Sequence, residues 1–153
     1  MAKVARAARN SSLLRVEEVS ASKTIASAES GELYLIQGGD ISSAITITLP
    51  AVKAGAYFKF LWVAAMDSTN ASVVIQSADG SNTMRGVIQS VLRGSADTDT
   101  TMATDFADES NDTKITIADD VYSGSYIECV SDGTNWYASG VVVASGLNLV
   151  AFG

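Results

Sequence analysis

Ala44-Ile-Thr-Ile-Thr-Leu49 followed by Pro50 is the stretch that decides the architecture. Ile45, Ile47 and Leu49 fall on one side of an extended chain and Thr46 and Thr48 on the other, the period-2 signature of a half-buried strand. Proline has no N–H to give to a ladder, so Pro50 ends the strand. Working outward, residues 33–37 form a short apolar run stopped by Gly38-Gly39-Asp40. On the other side, residues 56–63 form the most aromatic segment and predict a central strand. Phe58, Phe60 and Trp62 share one face of it, with Tyr57 on the other. Further strands are expected over residues 72–76, 84–92, 114–118, 125–130, 136–144 and 147–152. About nine short strands without a long helical pattern predict an all-β fold, a β-sandwich or a barrel-like, jelly-roll-like body.

Two turn signals share a pattern: Asp79-Gly-Ser-Asn82 and Asp132-Gly-Thr-Asn135 each lie between β-like segments. Asp-Gly suits hairpins because glycine accepts positive φ at no steric cost, so two similar hairpin turns are the expected reading rather than a duplicated site. Residues 94–112 read as a long irregular loop holding Asp97, Asp99, Asp105, Asp108, Glu109 and Asp112 with no basic residue. Met102 and Phe106 are expected to pin it to the body. A loop of this length within a compact domain is functional or disordered more often than not.

Charge divides the chain. Lys3, Arg6, Arg9 and Arg15 lie in the first fifteen residues without an acidic neighbour. The rest carries six basic against seventeen acidic side chains, a formal charge of −11. Residues 1–30 show only a thin apolar stripe and a small, polar stretch after Ser20, which predicts an extended N-terminal arm. Residues 31–153 form the all-β globular domain.

The 153 residues suit one domain, large enough to bury roughly 68–70% of its unfolded surface without metals or disulfides. Charged residues make up only 18% of the chain, below the usual ~25%, with Ser, Thr, Ala and Gly in their place, as suits closely packed subunit contacts. Histidine is absent and Cys129 is the only cysteine. That excludes an intramolecular disulfide, Cys/His zinc sites and the common His-based triads. Cys129 is expected to be a small strand residue in a protein maturing in a reducing compartment. No secretory leader is expected, since the N-terminal basic residues are not followed by an apolar stretch. The longest apolar run, residues 56–66, is interrupted by Lys59 and falls short of the ~20 residues of a membrane helix.

Three constellations bear on chemistry. Asp97, Asp99 and Asp105 could offer oxygen ligands to calcium, but their spacing does not match a calcium loop. A solvated acidic loop is the preferred reading, and no metal or cofactor is expected. No pair of acids is marked as a glycosidase pair, and enzymatic activity is not expected. Trp62, Trp136 and Tyr137 could stack on a sugar if exposed; filling the core is the plainer role for such rings. The basic segment lacks interleaved aromatics, and an acidic body repels phosphate, so neither nucleic acid nor membrane is an expected partner.

The stretches I-T-I-T-L-P-A (45–51), G-A-Y-F-K-F (55–60), V-V-I-Q-S-A-D-G-S-N (73–82) and C-V-S-D-G-T-N-W-Y-A-S-G (129–140) resemble, in that order, small β-domains of tailed-phage virion proteins. Such domains occur in capsid decoration (cement) proteins and in tail-fibre or tailspike modules. The resemblance covers about residues 32–145. It implies a non-enzymatic structural protein on the virion surface, made in the host cytoplasm and often trimeric, which holds the major capsid protein through an N-terminal arm. On that reading Lys3, Arg6, Arg9, Leu13, Leu14 and Arg15 form the capsid-binding arm. The alternative is a carbohydrate- or receptor-binding module of a tail fibre. The absence of heptads and shaft repeats favours decoration.

Overall fold

The computed structural model describes residues 14–67, 69, 71–78, 84–93, 100–107, 112–145 and 150–153. Twelve strands account for most of them: β1 (Val16–Val19), β2 (Lys23–Thr24), β3 (Leu33–Gln37), β4 (Ile45–Leu49), β5 (Tyr57–Ala64), β6 (Val73–Ser77), β7 (Met84–Arg93), β8 (Thr100–Phe106), β9 (Lys114–Ile117), β10 (Tyr126–Ser131), β11 (Trp136–Ala144) and β12 (Val150–Phe152). They build two sheets, of seven strands in the order β1-β3-β5-β10-β11-β7-β8 and of five in the order β12-β9-β6-β4-β2. The inner faces of the two sheets share one core, so the sandwich form of the expected all-β fold is the one found.

The first six strands alternate between the sheets. β1, β3 and β5 pair in parallel in the larger sheet, while β2, β4 and β6 pair in parallel in the smaller. Parallel neighbours need a crossover, and here each crossover is itself a strand of the opposite sheet. The result is a flattened coil of three turns. The β10–β11 hairpin then pairs antiparallel with β5, and β7 lies parallel to β11 with β8 closing the edge. In the smaller sheet β9 and β12 add antiparallel strands.

Alternation fixes which side chains enter the core. Ile45, Ile47 and Leu49 of β4 are buried, and so are Phe58, Phe60 and Trp62 of β5. Tyr34 stacks on Phe60 with ring centroids 5.4 Å apart, and Phe58 lies between Tyr34 (6.3 Å) and Trp136 (5.6 Å). Fully burying one such side chain contributes about 1.5–3 kcal/mol. Cys129 is buried among them, and desolvation pushes its thiol up to about 12, leaving it protonated and inert, as a strand residue should be.

The hairpin over residues 132–135 forms as expected. Asp132 Oδ1 accepts from the N–H groups of Thr134 (2.7 Å) and Asn135 (2.8 Å), and Gly133 takes φ +98°. The matching motif at 79–82 lies outside the described residues, and the strands flanking it belong to different sheets.

Two expectations are corrected. Residues 16–29 do not belong to a free arm: β1 and β2 form sheet edges, and Val19 and Ile25 are buried. Their strands are too short for alternation to show. The second correction falls in the loop predicted over 94–112. Residues 100–106 form β8, whose register with β7 sets Asp105 opposite Ile88 and Phe106 opposite Val87. The sequence conceals this strand because its pattern is inverted. Ala103 and Asp105 face inward, while Met102 and Phe106, expected to pin the loop, point outward and are 58% and 68% exposed.

Candidate interaction surface

The two outer faces of the sandwich differ in chemistry. On the five-stranded sheet, Thr46 and Thr48 of β4 stand beside Val74 and Gln76 of β6, then Thr116 and Lys114 of β9. Gln76 Nε2 donates to Thr48 Oγ1 at 3.1 Å. This is a polar face suited to water.

The seven-stranded sheet presents the opposite. Register sets Leu35, Leu61, Tyr126 and Val141 in one outward row across β3, β5, β10 and β11. A second outward row joins Val143, Val91 and Met102 across β11, β7 and β8. Among the described residues, every exposed large apolar side chain except Leu14 lies on this face. They run from Val16 at one edge, through Val63 and Val130, to Phe106 at the other. Exposed apolar side chains gathered on one face in this way, though interrupted by Lys59, Glu128, Arg85 and Gln89, mark a candidate interaction surface.

The charge at its centre is already paired. Lys59 Nζ donates to Glu128 Oε1 at 2.7 Å across β5 and β10 and lies 4.8 Å from the centroid of the Tyr126 ring. The hydrogen bond to Glu128 raises the Lys59 pKa against the opposing effect of burial. A cation held by both a carboxylate and a ring is cheaper to desolvate than a lone one.

Beside this face, β1 is fastened by a compact charge cluster. The carboxylates of Glu17, Glu29 and Glu32 have ligand atoms within 4.8 Å of one another. Their charges are met by lysine and arginine: Lys23 bonds Glu17 and reaches Glu29 at 3.0 Å, and Arg15 Nε lies 3.2 Å from Glu32. Tyr34 Oη donates to Glu32 at 3.2 Å. The Leu33 N–H also donates to the Arg15 carbonyl at 2.8 Å. The cluster is a clamp that holds the first coil. A depression of about 310 Å³ alongside it is lined by residues 17–23 alone, the hollow of one turn rather than a cleft between elements.

The residues singled out from sequence separate accordingly. Trp62 and Trp136 are fully buried and offer no face to a sugar; only Tyr137, 46% exposed, reaches the surface, where its hydroxyl donates to Asp132 at 3.1 Å. Arg15 belongs to the clamp and Leu14 is exposed next to it. Lys3, Arg6, Arg9, Leu13, Asp97 and Asp99 lie outside the described residues. Asp105 is on β8 and faces inward, away from the solvated loop expected for it.

Burial pushes the Asp105 carboxyl above its ordinary range, with Ser90 pulling weakly the other way. Neither Asp105 Oδ2 nor Ser90 Oγ completes a well-formed hydrogen bond. The raised pKa means the folded state binds the proton more tightly than the unfolded state. The stabilising contribution is present below the ordinary value of 3.8 and is lost as pH rises through the raised one. Asp105→Asn is therefore expected to stabilise the protein by about 1 kcal/mol at neutral pH, an advantage that shrinks in acid. Urea titrations at both pH values read this, and a variant destabilised equally at each would refute it.

The sequence carries a signal for this apolar outer face that alternation alone does not reveal. Leu-Tyr-Leu-Ile (33–36) and Val-Val-Val-Ala (141–144) are apolar without alternation, as in strands covered on both sides.

Comparisons with protein-family models, with curated proteins and with solved structures returned no match. Among the described residues, no helix is long and apolar enough to cross a membrane.

Proposed function

We propose that this chain is a structural virion protein that decorates a phage capsid, its β-sandwich forming the displayed body, as a homotrimer. Its N-terminal basic segment, with Lys3, Arg6 and Arg9, tethers the body to the major capsid protein. The observation that carries this reading is the clamp at β1. It fixes residue 15 at a sheet edge of an acidic body, so a basic segment starts from a rigid point. A tether attached in this way transmits binding to the body, and many copies on one lattice multiply weak single contacts. The motif resemblance across residues 32–145 supports the same class.

The test is co-sedimentation with tailed-phage heads stripped of their decoration protein. Deleting residues 1–13 should leave the circular-dichroism spectrum unchanged and weaken head binding roughly 100-fold. The cut stops at 13 because removal of 16–19 takes away β1 itself. Full-strength binding by the truncated chain would sink the tether. Burial of both tryptophans removes most of the support for a glycan-binding module.

A further inference from the structure

We infer that the apolar outer face of the seven-stranded sheet is a contact surface between copies of this chain. This deepens the self-association in the proposed function but not the capsid role, since it concerns the isolated protein.

Three observations select a second copy as the occupant. The first is area. Seven strands spaced ~4.8 Å apart and averaging ~20 Å in length give roughly 600 Å² in projection before side-chain relief. A stable interface buries ~800 Å² of accessible surface per partner, a size that the whole face approaches once side-chain relief is added to its projected area.

The second is charge. Its charged side chains are Glu18, Lys59, Glu128, Arg85 and Arg93, of which Lys59 and Glu128 neutralise each other and Arg93 lies over the Tyr122 ring at 5.0 Å. Three cations against two anions leave the face almost neutral, while the whole chain carries −7. A strongly charged partner would find little to pair with. Two copies, by contrast, can meet here without the repulsion their other surfaces impose.

The third is sequence. Residues 33–36 and 141–144 have the composition of strands covered on both faces, whereas β4 alternates with threonine and needs one cover only. The signal for coverage is thus carried by β3 and β11 of the larger sheet, while β4 and β9 of the smaller sheet turn threonine outward and only Val74 of β6 interrupts that polar row. Stacked sheets pack about 10 Å apart with interdigitating side chains. Bulky outward residues such as Leu61, Tyr126 and Val141 suit that spacing.

Sedimentation velocity of the full chain tests this without capsids. Phe106→Glu and Val130→Glu place a charge on the face at side chains already exposed in the single chain, so folding is not at stake. Thr48→Glu and Thr116→Glu are the controls on the polar outer face. Wild type and controls should sediment as oligomers. The two face variants should weaken self-association at least 100-fold with unchanged circular dichroism. A wild type that is monomeric at high micromolar concentration would overturn the inference. So would face variants that assemble normally, or controls that dissociate equally. Because capsid co-sedimentation is a separate measurement, failure here leaves the tether standing, and failure there leaves this interface standing.

Discussion

Replacing Gly86 with valine is expected to abolish folding. Gly86 sits in β7 opposite Ala138 of β11 with φ +127°, and a Cβ placed on it would lie 1.9 Å from the Ala138 carbonyl oxygen. The obstacle is backbone, not the tip of a flexible side chain, so relief means separating β7 from β11. Those strands run in register over nine residue pairs, one strand in from the β8 edge of the larger sheet. Losing that junction detaches β7 and β8 together. A clash of this kind, added to the unfavourable φ for a β-branched residue, exceeds about 4–5 kcal/mol, against a total stability of roughly 5–15 kcal/mol. Soluble yield and far-UV circular dichroism report it. Ser139→Val, one residue beyond Ala138 on the outer face, should fold. A well-folded Gly86→Val protein would show that the close approach is not required.

The second large effect is expected at Phe58. Its ring is fully buried and connects Tyr34 on β3 to Trp136 on β11, spanning the junction between the parallel coil and the C-terminal hairpin. Phe58→Ala removes that ring from both neighbours, at a cost of about 3–5 kcal/mol. At a urea m-value of ~1–3 kcal/mol per molar, the midpoint falls by roughly 1–5 M. Buried Trp62 and Trp136 supply the fluorescence signal, measured at one protein concentration so that self-association is held constant. Tyr57→Ala, one residue away on the outer face, should cost less than half as much. Equal losses would mean that the inner aromatic row is not what joins the two halves.

The comparison of residues 57 and 58 also shows how far sequence carries here. Strands β3, β4 and β5 are legible because each has an inward row of large apolar residues, and their bounds, like those of β11, can be read to within a residue. β2 could not be seen, since a two-residue strand has no period. β8 was hidden by its reversed face, with Asp105 inward and Phe106 outward. Parallel order was hidden for a different reason. Alternation tells which way a side chain points but not which sheet receives it, and the coil is set by where each strand crosses to the other layer. Surface roles suffered most. Trp62 and Trp136 suggest a sugar site as aromatic residues, yet Trp62 already shares the face of Phe58 and Phe60 in the alternating pattern and so belongs to the core. The apolar side chains that do reach solvent belong to strands whose runs looked merely hydrophobic.

The flattened coil has a mechanical consequence. Under the proposed tether, a pull applied at residue 14 enters the body at its weakest turn: β1 has four residues and β2 only two, held by the Arg15–Glu32 and Lys23 pairs. The next turn, β3 and β4, has five residues in each strand, and the third combines eight in β5 with five in β6. Resistance to extraction therefore rises turn by turn from the outside inward. Such a pull spends itself first on the outermost turn, releasing a short stretch of chain while the aromatic core stays shut. The fold behaves as a graded shock absorber, yielding at its rim and re-coiling when the load is released.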